Sequence, residues 1–237
     1  MEIQNILQQI DRFRTSAYRT LGVLAGFSIL SYFFAEQILK FLRRPLGQPL
    51  AFFSPGEAFI AHIKIAVFSG LFLSAPYLLH QIWIAFSSLA FKEGRRYTWI
   101  LVLMASLLFL AGSTLGYTLV LPFGLKFLLG FGTTQIRPVI SVDRYVSFMA
   151  TLILIFGFCF QLPLILLALG QVGLVDSRKL SHFRKYAILL ITIFSAIITP
   201  TPDAYTMLLL MVPLAFLYEI SIILLWFFGR KKASPSR

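Results

Sequence analysis

The sequence predicts an all-α membrane protein with six transmembrane helices, and three observations lead to this fold class. Hydrophobic residues make up 58% of the 237 residues and charged residues only 13%, against about 45–50% and about 25% in soluble domains. Long charge-free runs alternate with short basic segments. The 15 Gly and 11 Pro residues follow no repeat, which excludes a fibrous fold. A water-soluble core of this size could not bury so much apolar surface, so we expect a single polytopic membrane domain over residues 1–237.

The six spans are counted from the apolar runs, because a helix needs about 20 mostly apolar residues to cross the hydrocarbon core. Four runs are clear spans, and the long last run is divided in two by Pro200 and Pro202. The expected spans lie near residues 17–39, 58–89, 97–122, 144–171, 186–199 and 204–227. The apolar part of the fifth, from Tyr186 to Ile198, corresponds to roughly 20 Å of helix. We therefore expect this helix to be shorter than the core is thick, and the bilayer to thin beside it.

The two ends of the chain lie outside these spans and are polar. Residues 1–14 carry apolar side chains at helical spacing, which predicts an amphipathic helix on the cytoplasmic membrane surface. No cleavable signal peptide is expected, because no small-residue cleavage site follows the first apolar run. Residues 230–237 are expected to form a basic cytoplasmic tail.

Orientation follows from the distribution of the 21 Lys and Arg residues. With six spans both termini lie on one side, and this side also carries 14 of the bases, against seven on the other. The asymmetry places both termini in the cytoplasm. Lys40, Arg43 and Arg44 in the first outer loop go against this trend without reversing it. The net charge of +12 is therefore topological, and we expect no nucleic acid partner.

Several residues at the ends of spans are candidates for an outer cap and its turns. Ser54 as N-cap, with Glu57 three residues later, forms a capping box that starts the second span. A helix start is the simpler interpretation, and a rigid external cap over a cavity is the functional alternative. The candidate cap and turn residues are Pro45, Pro55, Glu57, Asp143 and Asp203.

Two polar residues inside the apolar runs are candidates for contacts within the membrane. Gln161 lies near the middle of the fourth run, where lipid cannot satisfy its amide, so it should face protein or a wet cavity. It either binds a partner or holds helices together. Glu219 lies toward the inner half of the last span, where it either pairs with a cytoplasmic-side base or contacts a partner.

Patterns typical of catalytic or metal sites are not evident in the sequence. His62, His80 and His182 are scattered without metal-ligand spacing. The single cysteine, Cys159, allows no internal disulfide. We therefore expect no enzymatic activity and no metal or other cofactor.

An ordered series of short motifs resembles the TatC family, the multispanning receptor of the twin-arginine protein translocase. Each motif alone is weak, but the series in order is specific and extends over nearly the whole chain. The motifs are Ser54-Pro55-Gly56-Glu57-Ala58-Phe59, Lys64, Pro76, Gln81 with Trp83 and Phe86, Gly112 with Tyr117 and Pro122, Phe156-Gly157, Pro163, Arg184-Lys185-Tyr186-Ala187, Thr199-Pro200-Thr201-Pro202-Asp203, and Tyr218-Glu219. The resemblance implies a glove-like, concave bundle in which helices five and six are short. It also implies a location in the cytoplasmic (inner) membrane.

The resemblance also implies a function and its sites. Members of the family bind signal peptides bearing paired arginines and then recruit TatA/TatB-type single-span partners, in a multimeric complex driven by the proton-motive force. The residues implied in signal-peptide binding are Glu93, Phe86, Arg95, Arg96, Asp11, Arg12 and Arg14. Those implied in polar or partner contacts within the membrane are Gln161, Glu219 and Met207. Carboxylates suit this role because they accept bidentate hydrogen bonds from guanidinium groups, which lysine cannot offer.

The chain departs from the family pattern at four places. The family's amino-terminal glutamate corresponds to Ile10, with Asp11 one residue later, and the loop glutamate corresponds to Gly94, with Glu93 one residue earlier. Gln161 stands where a glutamate is common, and Met207 where a glutamine is common. The loop shift is easily absorbed, so we expect Glu93 to be the principal arginine-binding carboxylate.

Two other classes of function stay open on the sequence alone. A small-solute secondary transporter would use Gln161 and Glu219 to line its substrate site. No inverted repeat and no paired broken helices support this reading. A structural membrane scaffold would bind no peptide at all.

Overall fold

The computed structural model describes residues 2–47, 49–90, 95–130, 139–198 and 204–228, with side chains throughout except at 2–13, 85–90, 95–98 and 128. Within these ranges the regular structure is helical, apart from one isolated bridge between Ala51 and Ser141. The predicted all-α class is therefore confirmed.

Ten α-helices lie within the described ranges. They are α1 (Glu2–Phe33), α2 (Ala35–Leu42), α3 (Pro55–Ala90), α4 (Arg95–Leu115), α5 (Leu121–Leu129), α6 (Val142–Cys159), α7 (Leu162–Gln171), α8 (Ser177–His182), α9 (Arg184–Ile198) and α10 (Ala204–Phe228). A short 3₁₀ turn, Arg44–Leu46, follows α2, and a π-helical segment, Gly116–Val120, joins α4 to α5.

Four helical segments in the described part of the chain are long and apolar enough to cross a membrane. They are Pro55–Ile84, Trp99–Phe127, Val142–Gln171 and Ala204–Phe228. Arg14–Phe33 and Ala35–Leu46 make a fifth if this pair, which is bent by 80°, counts as one span. The remaining expected span is α9, whose 15 residues extend only about 22 Å, so helix five is short as expected. Helix six is not short, because the 25 residues of α10 extend about 37 Å. The chain is thus a helical membrane protein, while the count of six spans stays a prediction.

The bend between α1 and α2 was not part of the sequence interpretation, which placed one span near 17–39. Phe34 leaves the helical conformation, with φ −106° and ψ 8°. Beyond it, Ala35 of α2 is buried in a cluster with residues of α3 and α6, and Ile38 and Leu39 pack against that cluster. Burial of this face of α2 favours a turned helix over a straight one. The amino-terminal segment, by contrast, continues into the first span without a break.

Prolines explain the two milder interruptions, which lie inside spans. Pro122 has no N–H to donate, and just before it the chain adopts π-helical geometry, in which the Leu121 N–H bonds to the Gly116 carbonyl. Pro163 likewise follows the junction of α6 and α7, where the Gln161 N–H bonds to the Phe158 carbonyl three residues back. The second interruption places Gln161 at the N-cap position of α7.

The residues fall into two compact units. The first consists of Met1–Ala85 with Val139–Ala150, and the second of Phe86–Pro138 with Thr151–Arg237. In the first unit the buried core includes Ala61 and Ile65 of α3 and Val146 of α6.

In the second unit, α4 and α6 approach closely at glycines. A Cβ placed on Gly157 would lie 2.6 Å from the Phe109 ring, and one placed on Gly112 would lie 2.7 Å from the Phe160 ring. Another cluster in this unit contains Leu180, Ile222 and Leu225, so α10 packs on α8 there. The close helix pairs position the polar residues described next.

Candidate functional sites

Two described residue groups near the first expected cytoplasmic loop, at the end of α3 and the start of α4, belong to the residues implied in signal-peptide binding. Glu93 belongs to residues 91–94 and falls outside the described residues. Phe86 lies in the last two turns of α3, and Arg95 and Arg96 open α4, but their side chains are also outside the described part. Their role therefore stays a prediction.

The amino-terminal candidates lie on α1. The side chains of Asp11 and Arg12 fall outside the described part, whereas Arg14 is described and exposed. Close to Arg14, the Ser16 hydroxyl donates a 2.9 Å hydrogen bond to Gln81 Oε1 on α3. Gln81 Nε2 in turn donates to the Tyr77 hydroxyl at 2.8 Å. This polar chain fixes the middle of α1 beside the last third of α3 within the first unit.

Glu57 joins the starts of two helices at the other end of the first unit. It accepts a 2.7 Å hydrogen bond from the Phe53 N–H, ahead of α3, and another from the Ser141 hydroxyl. Ser141 itself accepts from the Arg144 N–H at 3.3 Å, so Ser141 is the side chain that caps α6. One carboxylate thus links the capping residue of α6 to the first turn of α3.

Asp143, which the sequence offered as a cap, forms an ion pair instead. Its carboxylate lies 2.5 Å from Lys64 Nζ, and that ammonium group also donates to the Ser147 hydroxyl at 2.9 Å. Nearby, the buried Tyr145 hydroxyl donates to the Leu42 carbonyl at 2.7 Å, which ties α6 to the end of α2. These polar contacts connect α6 to α3 and α2, which indicates a structural role.

The remaining cap and turn candidates divide between described and undescribed positions. Pro45 lies half-buried in the 3₁₀ turn, and Pro55 is exposed at the first position of α3, where its missing N–H costs nothing. Asp203 lies outside the described residues.

Gln161 is buried in the second unit, with 4% of its surface exposed. Its Nε2 donates a 2.9 Å hydrogen bond to the Ala105 carbonyl of α4. Its Oε1 is buried and has no hydrogen-bond partner among the described residues. An unsatisfied buried acceptor costs about 1–3 kcal/mol, so this oxygen would be stabilised by a donor from outside the chain.

Glu219 pairs with a base of the same unit. Arg184 at the start of α9 donates to its carboxylate at 2.9 Å, and both side chains are about half-exposed. Beside it, the Tyr218 hydroxyl donates to the Leu180 carbonyl of α8 at 2.9 Å. The pairing with a base, one of the two alternatives for Glu219, is thus present. Met207 is half-buried in the first turn of α10.

Sequence reasoning missed Ser16, Gln81 and Ser141 as polar contacts. Gln81 carried a signal, because Tyr77 and Gln81 lie four residues apart, on one helix face, inside a charge-free run. Ser141 is 84 residues from Glu57, and Ser147 is 83 residues from Lys64, so no local sequence pattern pairs them.

In the described ranges, no group of three His, Cys, Asp or Glu side chains is placed so that it could hold a metal ion.

Comparison with known proteins gives a consistent result. The profile of the TatC family, described as Sec-independent protein translocase protein (TatC), matches residues 8–213. The TatC protein of Desulforapulum autotrophicum is 36% identical over 220 residues, covering 90% of this chain and 81% of that protein. The TatC protein of Aquifex aeolicus is 35% identical over 232 residues, covering 94% of this chain and 96% of that protein.

A solved structure extends the agreement to the fold. The crystal structure described as the twin-arginine translocase receptor TatC has a TM-score of 0.83 and 33% sequence identity, covering 93% of this chain and 99% of that chain. The relatives are named as protein translocase components, which is a role in transport rather than catalysis. The chain therefore belongs to the TatC family of Sec-independent protein translocase components and is a multi-pass membrane protein.

Proposed function

We propose that this protein is the signal-peptide receptor of a twin-arginine translocase, which exports folded proteins with the proton-motive force. The observation that carries the proposal is the 0.83 TM-score, over 93% of the chain, to a structure described as the receptor of that system. The TatA/TatB-type partners of the proposal are those implied by the family resemblance.

The proposed peptide site reads the two arginines with carboxylates. Glu93 is the principal acceptor and Asp11 the second, and each guanidinium gains a charge-assisted hydrogen bond that lysine makes less well. Phe86 receives apolar residues that follow the arginines. Support for the amino-terminal part of the site is the Ser16–Gln81 bond, which holds the middle of α1, shortly after Arg14, beside the last third of α3.

The basic residues of the site act on those carboxylates. Arg12, Arg14, Arg95 and Arg96 lie close to them in sequence and add positive charge near the carboxylates. An ionised carboxylate is the form that binds an arginine.

The proposed topology has six spans with both termini in the cytoplasm, in the cytoplasmic membrane. Its support is the distribution of the bases, 14 on the side of the termini and seven on the other. The count requires α9 to cross as a short helix beside thinned bilayer.

Partner helices are proposed to bind at polar positions of the second unit. The unpartnered Gln161 Oε1 would accept a hydrogen bond from a partner side chain in the membrane. Met207 and Glu219 on α10 are the further proposed contacts. A multimeric complex and the concave bundle implied by the resemblance belong to the same proposal.

The test is photo-crosslinking of a signal peptide to the protein in membrane vesicles, with Arg-Arg and Lys-Lys versions of the peptide. We expect preferential crosslinking of the Arg-Arg peptide. Glu93→Gln should weaken its binding by about 10- to 100-fold, as expected for loss of a charged hydrogen bond.

The matched control is Asp176→Asn, which removes one carboxylate from the next expected cytoplasmic loop. The Asp176→Asn variant should bind the Arg-Arg peptide as tightly as the unchanged protein does. Equal crosslinking of both peptides, or equal losses in the two variants, would contradict the proposed site. A solute transporter or a scaffold would crosslink neither peptide.

A further inference from the structure

A basic surface pocket follows the bend between α1 and α2 in the first unit. It has a volume of about 490 Å³ and is lined by Lys40, Arg43, Arg44, Gly47 and Pro49. The volume lies within the range of about 300–1,000 Å³ that is typical of small-molecule sites. It is therefore large enough for a phosphate group with a small polar substituent.

The charge of the pocket is not balanced locally. Lys40 pairs with Glu36 at 2.7 Å, one helical turn earlier. Among the described residues, neither Arg43 nor Arg44 forms an ion pair. Arg44 lies over the Phe41 ring, 5.2 Å from its centre, which orients the guanidinium without neutralising it. Two exposed arginines thus leave the pocket with a net positive charge.

Exposed aromatic rings occur in the same stretch of chain. Phe33 is 76% exposed, Phe41 49% and Phe53 71%. Phe34 and Phe52 are also exposed. Aromatic rings beside basic residues are typical of protein surfaces at the boundary between acyl chains and head groups.

The three basic residues of the pocket also lie on the outer side of the membrane, where the expected topology predicts few basic residues. Lys40, Arg43 and Arg44 belong to the expected first outer loop and oppose the distribution that orients the chain. Neither the orientation nor the proposed peptide site uses them. A separate ligand is the simplest reason for a basic cluster at this position.

We propose that the pocket binds the phosphate of an anionic phospholipid of the outer leaflet. Arg43 and Arg44 contact the phosphate oxygens, and Lys40, whose charge is offset by Glu36, lines the same pocket. The exposed Phe side chains contact the acyl chains of the same lipid. The lipid would hold the bent α1–α2 segment at the membrane surface.

The test is native mass spectrometry of the full chain released from detergent micelles, titrated with phosphatidylglycerol or phosphatidylcholine. We expect phosphatidylglycerol to bind more tightly. The double variant Arg43→Gln/Arg44→Gln should bind it about 30-fold more weakly, because each base near an anionic surface contributes about fivefold. Arg43→Lys/Arg44→Lys should retain most of the affinity, which separates loss of charge from misfolding.

The matched control is Arg178→Gln/Lys179→Gln on α8, which removes the same charge from exposed positions of the second unit. This variant should bind phosphatidylglycerol like the unchanged protein. Equal binding of the two lipids, or equal losses in the two Gln variants, would overturn the proposal.

A soluble competitor distinguishes a lipid from a free phosphate. Glycerophosphoglycerol, the deacylated headgroup, carries the same phosphodiester without acyl chains, so it should displace phosphatidylglycerol poorly. Displacement at equal concentration would mean that the pocket is a phosphate site, and the lipid assignment would be wrong. Crosslinking of the Arg-Arg signal peptide should be unchanged in the Arg43→Gln/Arg44→Gln variant, so this proposal and the receptor function fail independently.

Discussion

Single residues set how closely the helices of the second unit approach. A Cβ on Gly157 would meet the Phe109 ring at 2.6 and 2.8 Å, distances that real Cβ atoms essentially never show. Phe109 is itself 1% exposed, so the ring has little room to move away. The close contact between α4 and α6 therefore requires a residue without a side chain at position 157.

Gly157→Ala should consequently lower the free energy of unfolding by about 1–3 kcal/mol, as is typical of overpacking. The measurement is denaturation of the purified protein in mixed micelles. Gly26→Ala on α1 is the matched control, because nothing lies within 4 Å of its added Cβ. That variant should be neutral or stabilised by up to about 1 kcal/mol, since alanine favours a helix. Equal stability of the two variants would contradict the packing argument.

At the scale of elements, α10 is held by contacts with short neighbours. Tyr218 donates to the Leu180 carbonyl of α8, and Glu219 pairs with Arg184 of α9. Near the end of α10, Gln171 Nε2 donates to the Phe228 carbonyl at 2.6 Å. Side chains of α10 thus bind a backbone carbonyl of α8 and a charged group of α9, and the six residues of α8 are too few for a helix that is stable alone.

Tyr218→Phe removes one of these contacts and leaves the ring in place. We expect it to reduce the free energy of unfolding by about 1 kcal/mol, the usual net worth of such a hydrogen bond. Tyr186→Phe, at a half-exposed position of α9, serves as control and should change stability little. If both variants unfold alike, the Tyr218 hydroxyl does not hold α8.

The sequence predicted elements better than it predicted bends. Charge-free runs identified the four long spanning segments, because membrane burial imposes the same apolar requirement on every residue of a helix. The bend at Phe34 was not predicted, because no proline or glycine marks it in the sequence. Its cause is the burial of Ala35 against residues distant in sequence. Among the candidate sites, Glu57 was selected for a local capping pattern with Ser54, whereas its contact with Ser141 depends on tertiary packing.

For the whole molecule, the proposed topology predicts which positions water-soluble reagents reach from each side. In a Cys159→Ser background, a membrane-impermeant maleimide should label Ser54→Cys in intact cells. It should label Ser236→Cys only after permeabilisation, because six spans return the chain to the cytoplasm. The two Ser→Cys changes are matched in chemistry. Labelling of both positions from outside would contradict an even number of spans between the cytoplasmic amino terminus and residue 236.

The link between Glu57 and Ser141 has a consequence for the order of assembly. The two residues are separated by 84 positions, so at roughly 5–20 residues per second the ribosome makes Ser141 about 4–17 s after Glu57. During that interval Lys64 also lacks Asp143, and the hydroxyl of Tyr145 has yet to reach Leu42. Helices α1 to α3 therefore lack these contacts until α6 has been synthesised. The contacts that α6 makes then complete the first unit.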